Sequence, residues 1–172
     1  MENCPKIFPI IGKTSPNFPI IGKLSFRHPA VVPAALGIAA IGSALGAGTA
    51  GASSIGAWKK CYAQSKAAPF ILITFIGAPL SQTIYGMILM NTIIGKVAVD
   101  GWAAGNWAAS LLAGICGGLG MCFSAWYQGV AGAAGADALA ETGQGFGNYL
   151  MTLGVVETVA LFVLVFSMMG LA

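Results

Sequence analysis

Glu157 is the residue around which chemistry can be argued. It is the one charged residue in the stretch 142–172 and stands near its middle. If that stretch crosses a lipid bilayer, a bare charge at such depth costs at least about 2.5 to 3.5 kcal/mol. A proton, a bound cation or a basic side chain must neutralise it. The other long uncharged stretches hold no Lys or Arg, so a basic partner has to come from another subunit. The plain alternative is a permanently protonated Glu making a packing hydrogen bond.

Oxygen donors gather at the same depth. Ser81 and Tyr85 stand at i and i+4 with Gln82 between them, close enough to line one patch of a helix. Pro79, just before them, removes an amide donor and disturbs the preceding turn, which leaves main-chain carbonyl oxygens available. With a chain reversal near Thr142, Gln128 lies 14 residues before it and Glu157 lies 15 after, so the two share a level. The same arithmetic sets Gly51 and Ala52 opposite Gln82. One carboxylate, two amide oxygens, a hydroxyl and a main-chain carbonyl form a hard donor set with a single negative charge. Such a set suits a small monovalent cation, whereas several carboxylates would point to calcium. Sodium fits the charge count, while a proton needs only Glu157 and one acceptor. Each donor also has a plain reading: Gln as interhelical glue, Ser81 bonded back to its own helix, Tyr85 as packing rather than a latch on Glu157.

The elements that must position these residues are membrane helices. Of the 172 residues, 57% are hydrophobic and 8% are Asp, Glu, Lys or Arg, where a soluble domain carries about 25% charge. Stretches 28–58, 67–95 and 101–136 carry no charge at all, and 142–172 carries Glu157 alone. Each exceeds the roughly 20 apolar residues that span a bilayer as helix, so four transmembrane helices are expected. Continuous runs rich in Ala, Gly and Leu exclude the alternating pattern of a β-barrel. No basic stripe points to nucleic acid.

Polar clusters at 58–66, 95–102 and 137–144 divide the helices, and these short gaps make neighbours antiparallel. Residues 1–28 read as an irregular tail, 29–95 as a first transmembrane hairpin and 104–172 as a second that carries the carboxylate. A shift of 75 residues lays Gln82-Thr83 on Glu157-Thr158, as an internal duplication would. The first and third helices are rich in glycine, including Gly42, Gly46, Gly114 and Gly118, and the second and fourth are bulky. Inside lipid, helices associate by close backbone approach through small residues. Thin helices therefore suit a crowded inner layer, bulky ones a lipid-facing layer, and the whole a two-layered ring of hairpins; a monomeric four-helix bundle is the simpler alternative.

Other residues carry less. Cys4, Cys61, Cys116 and Cys122 form no CxxC pair and read as small packing residues. Asp137 and Glu141 read as a solvated end, His28 as an interfacial anchor, Trp58, Trp102 and Trp107 as aromatic belts, and Trp126 as a deeper packing residue. The tail repeats Phe-Pro-Ile-Ile-Gly-Lys at 8–13 and 18–23, and its prolines and lysines leave no uninterrupted apolar core for a signal peptide.

Two segments, Gly77-Ala78-Pro79-Leu80-Ser81-Gln82-Thr83-Ile84-Tyr85-Gly86 and Leu153-Gly154-Val155-Val156-Glu157-Thr158-Val159-Ala160-Leu161, give the chain its family likeness. With the glycine-rich first and third helices, they resemble the rotor proteolipid (subunit K) of V-type ATPases of the four-helix kind, over about 30–172. The resemblance implies an all-α membrane protein of two tandem hairpins assembling into a two-layered ring, the c-ring. It implies one ion per subunit, Na⁺ or H⁺, held by Glu157, Gln82, Gln128, Ser81 and the Ala78 carbonyl, with Tyr85 closing the site; Ser81 stands where the sodium-translocating members have threonine. It also implies identical subunits, a stator membrane subunit supplying an arginine, central-stalk subunits and membrane lipid as partners. No cofactor and no catalytic residue of its own are expected, and the bacterial inner membrane or an equivalent energy-coupling membrane is the expected location. The lysines leave topology open, and the family implies cytoplasmic turns. The rivals are a small secondary transporter or channel built on the same Glu157, and a purely structural membrane protein.

Overall fold

The computed structural model describes residues 32–100 and 107–171. The repeated tail segment, Cys4, His28, Trp102 and the side chain of Trp107 lie outside the described residues. Four helical rods are long and apolar enough to cross a membrane, and no strand occurs among the described residues. The first rod is α1, Val32–Ala63. The second is composite: a 3₁₀ turn at Phe70–Leu72, α2 at Ile73–Gly77, a second 3₁₀ turn at Ala78–Leu80 and α3 at Ser81–Asp100. The third is α4, Trp107–Thr142, and the fourth is α5, Phe146–Gly170. The helices run further into the polar clusters than the sequence alone indicates, because Lys59, Lys60 and Glu141 all continue the helical register.

Small residues bring α1 and α4 together in parallel. A Cβ on Gly42 would fall on the backbone of Cys122, and one on Gly129 would fall on the backbone of Gly46. Backbone contact of this kind gives the van der Waals gain that drives association where water expulsion is absent. Ser53 adds a hydrogen bond to the Ala133 carbonyl at 2.8 Å. The bulky rods pack outside this thin pair, with α5 leaving Val155, Val159, Phe162 and Phe166 exposed.

The two chain reversals differ. Gly143 and Gly145, both at positive φ, turn α4 into α5 within three residues, and the Gln144 amide donates to Thr142 Oγ1 at 3.2 Å. The first reversal is longer, running from Gln64 to Pro69, and Trp58 pins it by donating from Nε1 to the Pro69 carbonyl at 2.9 Å. This difference corrects the expected facing of Gln82 by Gly51 and Ala52. Gly46 lies against Pro79, and Ala35 and Ala39 lie against Gly86, which brings Ser43 level with Gln82. A single 75-residue shift cannot serve both halves. Gly48-Thr49-Ala50-Gly51-Ala52 corresponds to Gly129-Val130-Ala131-Gly132-Ala133 at a shift of 81, as the extra turn residues require.

Two apolar clusters fill the bundle. One joins Ala35, Ala39, Leu89, Ile93, Met121, Ala160 and Leu164; the other joins Ala57, Leu72, Phe75, Ala136, Leu139 and Leu153. Phe75 meets Phe146 edge-on at 5.8 Å in the second. Between them lies one polar layer, which contains the candidate site.

Three lesser expectations change. Asp137 and Glu141 do not simply face solvent: Lys60 on α1 reaches both, at 3.0 and 3.2 Å, and ties the ends of the two thin helices. Cys61 is buried, but Cys116 is exposed and so packs against nothing large in this chain. Trp126 stacks on Phe123 and Tyr127 of its own helix yet stays exposed, since α4 turns that face away from the bundle.

Candidate ion-binding site

Pro79 shapes the first wall of the site. Lacking an N–H, it cannot continue the helical ladder, and the rod tightens into the 3₁₀ turn Ala78–Leu80 before α3 begins. The Ser81 amide bonds to the Ala78 carbonyl in that tightened turn. The Ser81 hydroxyl then has one hydrogen and two acceptors in reach: the Ala78 carbonyl at 3.0 Å and Gln82 Oε1 at 3.1 Å. Three oxygens with a single hydroxyl proton between them form a local surplus of acceptors.

Gln82 crosses from this wall to α4, where its Nε2 donates to Gln128 Oε1 at 2.8 Å. Both glutamines are fully buried, at 0% exposure. Gln128 Nε2 donates onward to the Leu153 carbonyl at 3.1 Å and reaches Glu157 Oε2 at 3.5 Å. Tyr85, one turn beyond Ser81 on α3, donates its hydroxyl to Glu157 Oε1 at 2.7 Å. A continuous chain of polar contacts thus runs from the Ala78 carbonyl to the carboxylate, through side chains of three rods. Glu157 itself sits midway along α5 and remains partly exposed on the outer side of the bundle.

All six positions singled out in the sequence, Ala78, Ser81, Gln82, Tyr85, Gln128 and Glu157, meet in this layer. The shared level inferred for Gln128 and Glu157 holds because the short second reversal centres near Thr142. Two contributors were missed. The Leu153 carbonyl anchors Gln128, and Ser124 donates to the Val156 carbonyl at 3.0 Å, pinning α5 to α4 one residue before Glu157. Ser124 stands four residues before Gln128, so an i, i+4 reading of α4 could have found it; the carbonyl leaves no mark in residue type.

The cluster can carry one positive charge. Turning an amide exchanges its N–H₂ for its oxygen, so the two glutamines can present either donors to a carboxylate or acceptors to a cation. Among the described residues no group of three or more His, Cys, Asp or Glu gathers, which fits a single monovalent charge better than a divalent metal.

Comparison with known proteins agrees with this geometry. The family model for the C-type subunit of ATP synthase matches residues 111–169, which hold Gln128 and Glu157. The A-type ATP synthase subunit K of Methanocaldococcus jannaschii is 34% identical over 136 residues, covering 78% of this chain and 57% of that relative. The chain thus spans a little over half the length of the relative it matches. Four membrane-length helices, a carboxylate at mid-span and these two similarities lead to one conclusion: the chain belongs to the ATP synthase rotor-proteolipid family, as a V/A-type ATPase member of the subunit K kind.

Proposed function

We propose that this proteolipid is a rotor-ring subunit of an A/V-type ATPase and that each copy carries one Na⁺ at Glu157. The observation that carries the sodium reading is the acceptor surplus beside Ser81. The Ala78 carbonyl, Ser81 Oγ and Gln82 Oε1 share one hydroxyl proton, and Gln128 and Glu157 add oxygens from the facing helices. A cation relieves that surplus; a proton on Glu157 needs one acceptor and leaves the rest without purpose.

Charge compensation gives the mechanism. A loaded Glu157 is neutral overall and can face hydrocarbon, as its partly exposed position on α5 allows. An emptied one is costly there and stays beside a water-filled half-channel and a stator arginine. Rotation is then coupled to ion exchange between copies. Tyr85 acts as the latch: its hydroxyl bonds to the carboxylate from the lipid-facing rod and must yield for exchange. ATP is handled by other subunits, since no Gly-x-x-x-x-Gly-Lys-[Ser/Thr] pattern occurs in the sequence. The hairpin turns face the cytoplasm, where central-stalk subunits dock, and the protein resides in a bacterial inner membrane or an equivalent energy-coupling membrane.

Carbodiimide modification of Glu157 at fixed pH tests the ion. If the site takes Na⁺, NaCl protects the carboxylate and KCl does not. Indifference to NaCl overturns that reading and assigns H⁺ to the same ring.

A further inference from the structure

Three hydroxyls at one depth have no partner within the chain. Ser43 Oγ is buried, with the residue at 2% exposure, and bonds to nothing. Thr83 is partly buried and Tyr127 is 64% exposed, and neither appears in a side-chain hydrogen bond among the described residues, although their neighbours Gln82, Tyr85 and Gln128 all do. A hydroxyl left alone in hydrocarbon is costly because no water can serve it.

Helical geometry sets these groups on opposite edges of the four-rod unit. On α3, Tyr85 points at Glu157 of α5; Thr83, two residues and so about 200° away around the helix, looks away from the second hairpin. On α4, Gln128 points into the site and Gly129, about 100° round, lies against Gly46 of α1. Tyr127 is displaced by the same angle in the other sense and looks away from α1.

The levels agree as well. Gly46 touches both Pro79 and Ala125, which ties the heights of α1, α3 and α4 together. Ser43 lies one turn from Gly46 in the direction that brings it level with Gln82 and Thr83. A helical side chain slopes toward the N-terminus, so the Tyr127 hydroxyl lies about a turn above its own Cα, at that same height. In a closed ring of identical copies there is no rise from one to the next, so residues at equal depth on opposite edges meet.

We propose that, in the ring, the Tyr127 hydroxyl of each copy joins the Thr83 and Ser43 hydroxyls of the next copy, forming a polar seam between subunits at the depth of the ion site. This rests on the rotor-ring reading and names the contact by which copies recognise each other's height.

The test is the thermal dissociation of rings purified in mild detergent, read on the variants Y127F, T83V and the double variant. Each single loses a hydroxyl without changing shape much and lowers the temperature of half-dissociation, the double falls no further than the lower single, and T83S restores wild-type behaviour. Sodium protection of Glu157 stays as in the wild type, because neither residue touches the carboxylate. Singles as stable as wild type, or losses that add in the double, overturn the seam and leave the ring standing. A wild-type chain that is monomeric under these conditions overturns the ring and the seam together.

Discussion

The Tyr85 hydroxyl lies 2.7 Å from Glu157 Oε1, joining the first hairpin to the second through the only acid in α5. The contact closes the carboxylate on the side that faces away from Gln128. It also puts the latch on a different rod from the acid, so a small relative shift of α3 and α5 opens the site.

Removing that hydroxyl should loosen the ion without abolishing the site. A hydrogen bond to a charged group contributes about 1.5–3 kcal/mol, so Y85F is expected to raise the NaCl concentration for half-protection of Glu157 about tenfold or more. Titration of carbodiimide labelling against NaCl measures it. An unchanged midpoint would make Tyr85 a packing residue.

Ser81 separates the two ions. The variant S81A removes the shared hydroxyl and should lose sodium protection while Glu157 still labels in a pH-dependent way; S81T, which keeps the oxygen, should retain protection. Equal loss in both variants would show that bulk rather than the hydroxyl matters there.

Pro79 is expected to act through the backbone. In P79A the amide returns and the 3₁₀ turn can relax into regular helix, moving the Ala78 carbonyl and Ser81 relative to Gln82. Alanine keeps the Cβ that faces Gly46, so the ring should still assemble while the half-protecting NaCl concentration rises several-fold. A collapse of expression would assign Pro79 to packing instead.

The thin-helix contact predicts a steep contrast between glycines. G129A places a methyl on the backbone of Gly46 and should forbid the α1–α4 approach, whereas G95A meets open space and should be tolerated, Ala being the better helix former by about 1 kcal/mol. Detergent-solubilised yield and thermal aggregation of the two variants distinguish them; equal behaviour would contradict the close approach.

Much of this was legible in the residues because the bilayer simplifies the physics. Uncharged runs mark spans, a lone Glu157 in such a run demands a counter-charge, and a short reversal at Thr142 fixes its level against Gln128. The facing of Gln82 was not legible in the same way. It depends on how many residues the first reversal consumes, and the segment from Gln64 to Pro69 carries no strong turn signal besides its proline. Trp126 misled for a related reason: hydrophobicity states that a residue avoids water but not whether protein or lipid receives it. Ser124 and the Leu153 carbonyl act through main-chain contacts, which residue type does not announce.

Glu157 as the carrier of the transported ion is tested most directly by ATP-driven ²²Na⁺ uptake into vesicles containing the assembled enzyme. Wild type is compared with E157Q, with ring assembly checked on the same preparations. The expected result is that E157Q assembles a ring but takes up no Na⁺ above background. Sustained, ATP-coupled uptake by the E157Q enzyme would contradict the assignment.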